Sequence, residues 1–141
     1  MHQKAPPEVL AIVMENYEWW NGGEPNLMLE SYVEEGELDL SAIFTDMPVL
    51  HGRESIRRHM DQFWQAWGGL RMESLEIHDM GGDRYVVDMR LSGKGKRSGA
   101  EVDQRFAWLY TLHPDNNKVV RAQLFPTVQA AMDHAKASAS A

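Results

Sequence analysis

Two short patterns in this sequence could carry acid–base chemistry. Asp88-Met89-Arg90 and Asp103-Gln104-Arg105 each place a carboxyl group and a guanidinium two residues apart. In an extended strand, residues i and i+2 project from the same face. If that face is interior, the carboxylates lie desolvated beside a fixed positive charge, with the shifted pKa values that acid–base catalysis uses. If it is exterior, the pairs are surface cross-strand contacts worth well under about 1 kcal/mol each. Strand phase decides, because a one-residue slip exchanges the inward and outward sets. Asp88, Arg90 and Asp103 are the candidate catalytic residues.

Other chemistries find less support. The chain has no cysteine, which excludes disulfides, thiolate metal sites and a cysteine nucleophile. His51 and His59 are eight residues apart across a loop and a helix, and His78, His113 and His134 are scattered. Neither set has the close spacing of a metal site. His51 alone falls in a loop near the expected mouth of a pocket. No Gly-x-Ser-x-Gly elbow and no Gly-rich phosphate loop occurs. No metal or cofactor is therefore expected.

Aromatic residues are the remaining signal. Tyr17, Trp19, Trp20, Phe63, Trp64, Trp67, Phe106, Trp108 and Tyr110 are accompanied by Met14, Met60, Met72 and Met89. Core packing accounts for most such residues, yet large rings beside flexible thioethers also build pockets for flat apolar ligands. Tyr17, Trp20, Asp39, Phe63, Trp64, Trp108 and Gln123 are the expected pocket-lining residues. Trp19 and Trp20 are consecutive, about 100° apart on a helix, so both cannot face the core.

The elements that would position these side chains follow from periodicity. Val9, Ile12, Val13, Tyr17 and Trp20 give one apolar face to a helix over 8–21, with Pro7 before it and Gly22-Gly23 after it. A short second helix is expected from Pro25 to Glu35, burying Leu27, Met28 and Val33. A strand follows over 37–44. Ile56, Met60, Phe63, Trp64 and Trp67 form the stripe of a helix over 53–67, closed by Gly68-Gly69. Strands are then expected over 70–78, 85–91, 100–113 and 118–125. Met80-Gly81-Gly82-Asp83, a Gly/Lys-rich stretch at 92–98 and Pro114-Asp115-Asn116-Asn117 supply the turns. A last helix covers 126–136. Helices early and strands late imply an α+β fold with a curved, mainly antiparallel sheet.

Composition sets the outer bounds. At 141 residues the chain is expected to be a single domain, with its ordered core over about 8–135. The net charge of −7 disfavours nucleic-acid binding. The basic cluster Lys94, Lys96 and Arg97 sits among glycines and reads as a hairpin tip. No window of 18 apolar residues and no secretory leader is visible, so a cytoplasmic location is expected.

Three segments resemble the SnoaL-like group of the nuclear transport factor 2-like superfamily. They are the first helix running through Trp20-Asn21-Gly22-Gly23 to Leu29–Glu35, the Leu50-His51-Gly52-Arg53-Glu54-Ser55-Ile56-Arg57 loop-to-helix segment, and the closing strands from Ser98–Asp103 to Asn117–Phe125. The resemblance spans about residues 8–135. It implies a cone-shaped fold with an internal pocket, usually a homodimer across the sheet, and a small apolar ligand of polyketide or terpenoid type.

It does not imply one activity, because relatives include isomerases, cyclases, epoxide hydrolases and plain binders. An isomerase-like set needs a first-strand carboxylate, a Tyr and a protonated acid. Here Leu40 aligns with the base, Asp39 being next to it; Tyr17 is one residue out of place, and the second acid falls near Trp108. An epoxide-hydrolase-like set needs Arg-x-Asp and a last-strand Asp, but this chain has Asp88-Met89-Arg90 and Gln123. A cyclase-like set needs only one acid or base, which Asp88 or Asp103 could supply. The alternative is a non-enzymatic ligand-binding or dimeric interaction module with a partly filled pocket.

Overall fold

The structure is a computed structural model that describes residues 3–4, 18, 21–22, 29–67, 70–94 and 99–139. Its strands are β1 (Gln3–Lys4), β2 (Tyr32–Asp39), β3 (Leu50–His51), β4 (Leu70–Gly81), β5 (Arg84–Lys94), β6 (Glu101–Leu112) and β7 (Val119–Phe125). Its helices are α1 (Gly52–Trp67) and α2 (Val128–Ala139). The strands form one sheet in the order β1-β4-β5-β6-β7-β2-β3. All neighbours are antiparallel except β2 and β7, which run parallel. The expected α+β fold with a mainly antiparallel sheet holds, the β2–β7 pair being its parallel exception.

Most of the first expected helix lies outside the described residues, and so do Tyr17, Trp19, Trp20 and the 95–98 hairpin tip. What is described agrees with a helix ending at Gly22, whose N–H donates to the Glu18 carbonyl at 2.8 Å. The Asn21 side chain fixes that end to the sheet. Its amide donates to the Met72 carbonyl at 2.9 Å and accepts from the Met72 N–H at 3.0 Å.

The region from 29 to 46 differs from expectation. Leu29–Ser31 is a short 3₁₀ turn, Tyr32–Asp39 is a strand, and turns occupy 41–46. The expected helical span over 32–35 is strand instead, residues 25–28 of that expected helix lie outside the described residues, and the strand begins five residues earlier than expected. Charged Glu34-Glu35 resembles a helix end in sequence. Here the ladder to β7 is irregular between Tyr32 and Glu37, and the extra residues pass as a bulge around buried Gly36. A Cβ on Gly36 would lie 3.1 Å from the Val33 carbonyl oxygen and 3.2 Å from the Tyr32 ring.

α1 matches its expected span. Ile56 is fully buried and Met60 nearly so, while Arg57 faces outward between Glu54 (2.6 Å) and Asp61 (3.2 Å). Arg53 ties the helix start to β2 by donating from Nε to the Tyr32 carbonyl at 2.9 Å. β4 and β5 are joined by Gly82-Asp83, both with positive φ (63° and 62°), as a two-residue turn of the type that matches strand twist requires. The register of β4 slips between Ser74 and Glu76, so Met72 and Ile77 both pack toward the main core. Strict alternation would have put them on opposite faces.

Two cores lie on the two faces of the sheet. The larger joins Leu38, Leu40, Met72, Val87, Met89, Tyr110 and Leu124 to Ile56 and Met60 of α1. The smaller sits on the opposite face, where Val86, Ala107, Leu109 and Phe125 meet Ala131, Met132 and Ala135 of α2. The α2 start is capped by Thr127, whose Oγ1 accepts from the Ala130 N–H at 3.0 Å. β5 is consequently buried on both faces from Tyr85 to Met89.

Candidate functional site

A cavity of about 250 Å³ lies on the α1 face of the sheet. β2 and the residue after it contribute Tyr32, Leu38 and Leu40, and the following turn contributes Ile43 and Phe44. His59, Met60 and Phe63 enter from α1. Leu70, Met72, Met89 and Leu91 form one wall, and Val102, Phe106, Trp108, Tyr110 and Leu124 form the other. The even-numbered positions of β6 face inward because Trp108 pairs with Val87 and Phe106 with Met89. Phe44 is half exposed (50%) while touching the cavity, which places it at a rim.

The lining is almost wholly apolar. Among the described residues its side-chain polar atoms belong to Tyr32, His59, Trp108 and Tyr110, and no Asp, Glu, Lys or Arg side chain lines it. The Trp108 and Tyr110 rings lie nearly parallel, 18° apart with centroids at 5.7 Å. His59 is half-buried and its ring lies 6.1 Å from that of Phe63. Burial holds its imidazole pKa below the ordinary histidine value, because the charged form loses hydration. Burial likewise pushes the Tyr32 phenol well above its usual range, so it stays protonated.

Of the residues expected at the site, Phe63 and Trp108 line the cavity. Trp64 is partly buried against the same core but does not touch the cavity. Tyr17 and Trp20 lie outside the described residues. The polar candidates are all on the other face. Asp88, Arg90, Asp103 and Arg105 form a crossed ladder between β5 and β6, where Arg90 and Arg105 are directly opposed. Arg90 grips Asp103 through two hydrogen bonds of 2.8 Å, and Arg105 donates to Asp88. Asp88 is buried, whereas Asp103 and both arginines are exposed. The hydrogen bond from Arg90 holds the Asp103 carboxyl below its usual range.

The same alternation moves Asp39 and Gln123 outward, where they are register partners. Burial tends to raise the Asp39 pKa, but hydrogen bonds from Ser41 and the charge of Arg121 outweigh it and leave it lowered. Ser41 donates to Asp39 Oδ1 through its N–H (3.0 Å) and its hydroxyl (2.6 Å). Arg121 lies 3.5 Å from Asp39 and 3.6 Å from Glu37. Gln123 contacts His134 of α2 at 3.4 Å. Leu40 occupies the inward position next to Asp39, so the residue that follows β2 presents a hydrocarbon at the position aligned with an isomerase-like base. His51 is exposed and pairs with Glu37 at 3.4 Å.

Sequence reasoning passed over Tyr32 and His59. Tyr32 falls inside the expected second helix, and His59 enters the sequence reading only beside His51, as a pair without metal-ligand spacing. His59 stands four residues before Phe63 and so shares its side of α1, but that spacing marks a cavity position only once the sheet packed against α1 is known. No group of three His, Asp or Glu residues suited to a metal is present among the described residues. No described helix is long and apolar enough to cross a membrane.

The fold and cavity define a class: an α+β protein with one mixed sheet, among the described residues a helix packed on each face, and a small cavity under one of them. Over residues 13–122 the sequence matches the SnoaL-like domain, and the chain belongs to that family. No curated protein matches it. Solved structures do. A protein of Jannaschia sp. CCS1, provisionally assigned as a SnoaL-like polyketide cyclase, superposes with a TM-score of 0.73 at 18% identity, over 92% of this chain and 94% of its own. A Catenulispora acidiphila DSM 44928 protein of ketosteroid isomerase-like fold, solved with trimethylamine, gives 0.71 at 17% identity, covering 94% and 95%. The epoxide hydrolase/cyclase-like enzyme SalBIII of pyran ring formation in salinomycin gives 0.69 at 17% identity, covering 86% and 92%. Identities this low establish a shared fold.

Proposed function

We propose that this SnoaL-like protein takes a flat, largely apolar, oxygenated small molecule of polyketide or terpenoid type into the cavity between α1 and the sheet. The lining carries this reading. It offers hydrocarbon and aromatic surface, with a few polar atoms on Tyr32, His59, Trp108 and Tyr110 to orient one oxygen. The names of the structural neighbours, a polyketide cyclase and a polyether ring-forming enzyme, are in keeping with such a ligand. Binding is the function this geometry supports best. The carboxylates suited to isomerase, cyclase or hydrolase chemistry lie on the opposite face, already paired.

The test is a thermal-shift and tryptophan-fluorescence screen of lactone, epoxide and enone ring compounds. A true ligand at a hundred times its Kd stabilises the fold by about 2.7 kcal/mol. Val102→Trp places a large ring on the partly buried cavity wall and should abolish the response while leaving the fold intact. A response that survives Val102→Trp would locate binding elsewhere and defeat the proposal.

A further inference from the structure

We propose that the cavity's ligand is an uncharged hydroxylated ring compound, a phenol or enol in chemical class, whose O–H donates to the His59 imidazole. This rests on the cavity being a small-molecule site. Charge comes first. A carboxylate entering this space would give up its hydration with no Lys or Arg on the described lining to replace it, and an ammonium group would find no Asp or Glu. Burying an unpaired ion is far costlier than burying a hydroxyl. The ligand is therefore neutral.

His59 then selects among neutral ligands. Its imidazole lines the cavity, and its ring contact is with Phe63. Among the described residues no hydrogen bond engages either ring nitrogen. A neutral imidazole carries one strong acceptor nitrogen and one N–H, and burial favours this neutral form. The Trp108 N–H can only donate, and a phenol donates more readily than it accepts, so His59 is the basic acceptor on this wall. An O–H group satisfies it, whereas a ketone or ether can engage only the N–H and leaves the acceptor nitrogen unpaired once the ligand displaces water from it. The nearly parallel Trp108 and Tyr110 rings supply a broad aromatic surface, which suits a fused planar ring.

Three fused-ring probes separate the possibilities near neutral pH: naphthalene, 2-naphthol and 2-naphthoate, titrated by fluorescence and calorimetry. One net hydrogen bond predicts that 2-naphthol binds about three- to tenfold tighter than naphthalene. Naphthoate should bind weakest. His59→Leu should bring 2-naphthol down to the affinity of naphthalene without weakening naphthalene itself. In the unmodified protein, 2-naphthol but not naphthalene should move the His59 imidazole nitrogen resonances, a readout that needs no variant to fold. Naphthalene binding as tightly as 2-naphthol, naphthoate binding best, or unmoved His59 resonances would overturn the role of His59 while leaving the apolar container standing. If none of the three binds, the container reading falls and this inference with it.

Discussion

Asp88→Asn probes the division of labour between the two faces of the sheet. The Asp88 side chain is 7% exposed and accepts a charge-assisted hydrogen bond from Arg105, which is itself 65% exposed. A hydrogen bond to a charged group contributes about 1.5–3 kcal/mol. The exposed guanidinium end is partly screened by water and salt, which discounts that figure to about 1–2 kcal/mol. For a chain of this size the loss lowers Tm by roughly 3–8 °C. Asparagine keeps the shape and one acceptor oxygen, so no cavity term adds to it. Urea denaturation followed by circular dichroism measures the stability, and titration of a cavity ligand measures function. Affinity should stay within about twofold of the unmodified protein, because Asp88 lies across the sheet from the lining. Asp103→Asn, on the exposed lane of the ladder, should change neither quantity. A variant Asp88→Asn of unchanged stability that loses ligand binding or turnover would refute the placement of acid chemistry away from the cavity.

Three further outcomes follow from the same packing. Gly36→Ala should cost about 1–3 kcal/mol by overpacking, because its new Cβ meets the Val33 carbonyl oxygen and the Tyr32 ring. The displaced Tyr32 should also weaken ligand binding, as paired denaturation and titration would show. Ile56→Ala, at a fully buried site of α1, should lower the unfolding free energy from urea denaturation by about 2–5 kcal/mol. For pH, His59 has a folded pKa lowered by burial from the ordinary 6.5. The unfolded state therefore takes up a proton first as pH falls. The contribution of His59 to stability is full above pH 6.5 and declines as the pH drops below that value toward the lowered folded pKa. His59→Leu should flatten that part of the stability profile relative to the unmodified protein.

The sequence and the structure agree most closely where periodicity is long and punctuation strong. The α1 stripe from Ile56 to Phe63, the Gly82-Asp83 hairpin and the β5–β6–β7 meander were all readable, since spacing and turn residues point to the same element. The α+β class and the SnoaL-like resemblance followed from that order. The faces were harder to read. Alternation groups Asp88 with Arg90 correctly, but it cannot tell inside from outside. β5 is buried on both sides because α2 covers the outer face, so a buried aspartate there does not signal a pocket. The slip between Ser74 and Glu76 and the bulge at Gly36 each shift the phase by tertiary pairing alone. His59 was hidden for a different reason. A single histidine on a helix has no sequence signature until the helix's partner face is known.

The most direct test of the account is a crystal structure of the protein with 2-naphthol. The account predicts the ring system lying in the space between α1 and the sheet, beside Trp108 and Tyr110, with its hydroxyl within hydrogen-bond distance of His59. A ligand seated on the outer face against Asp88, Arg90 or Asp39, with the inner cavity unoccupied, would contradict it.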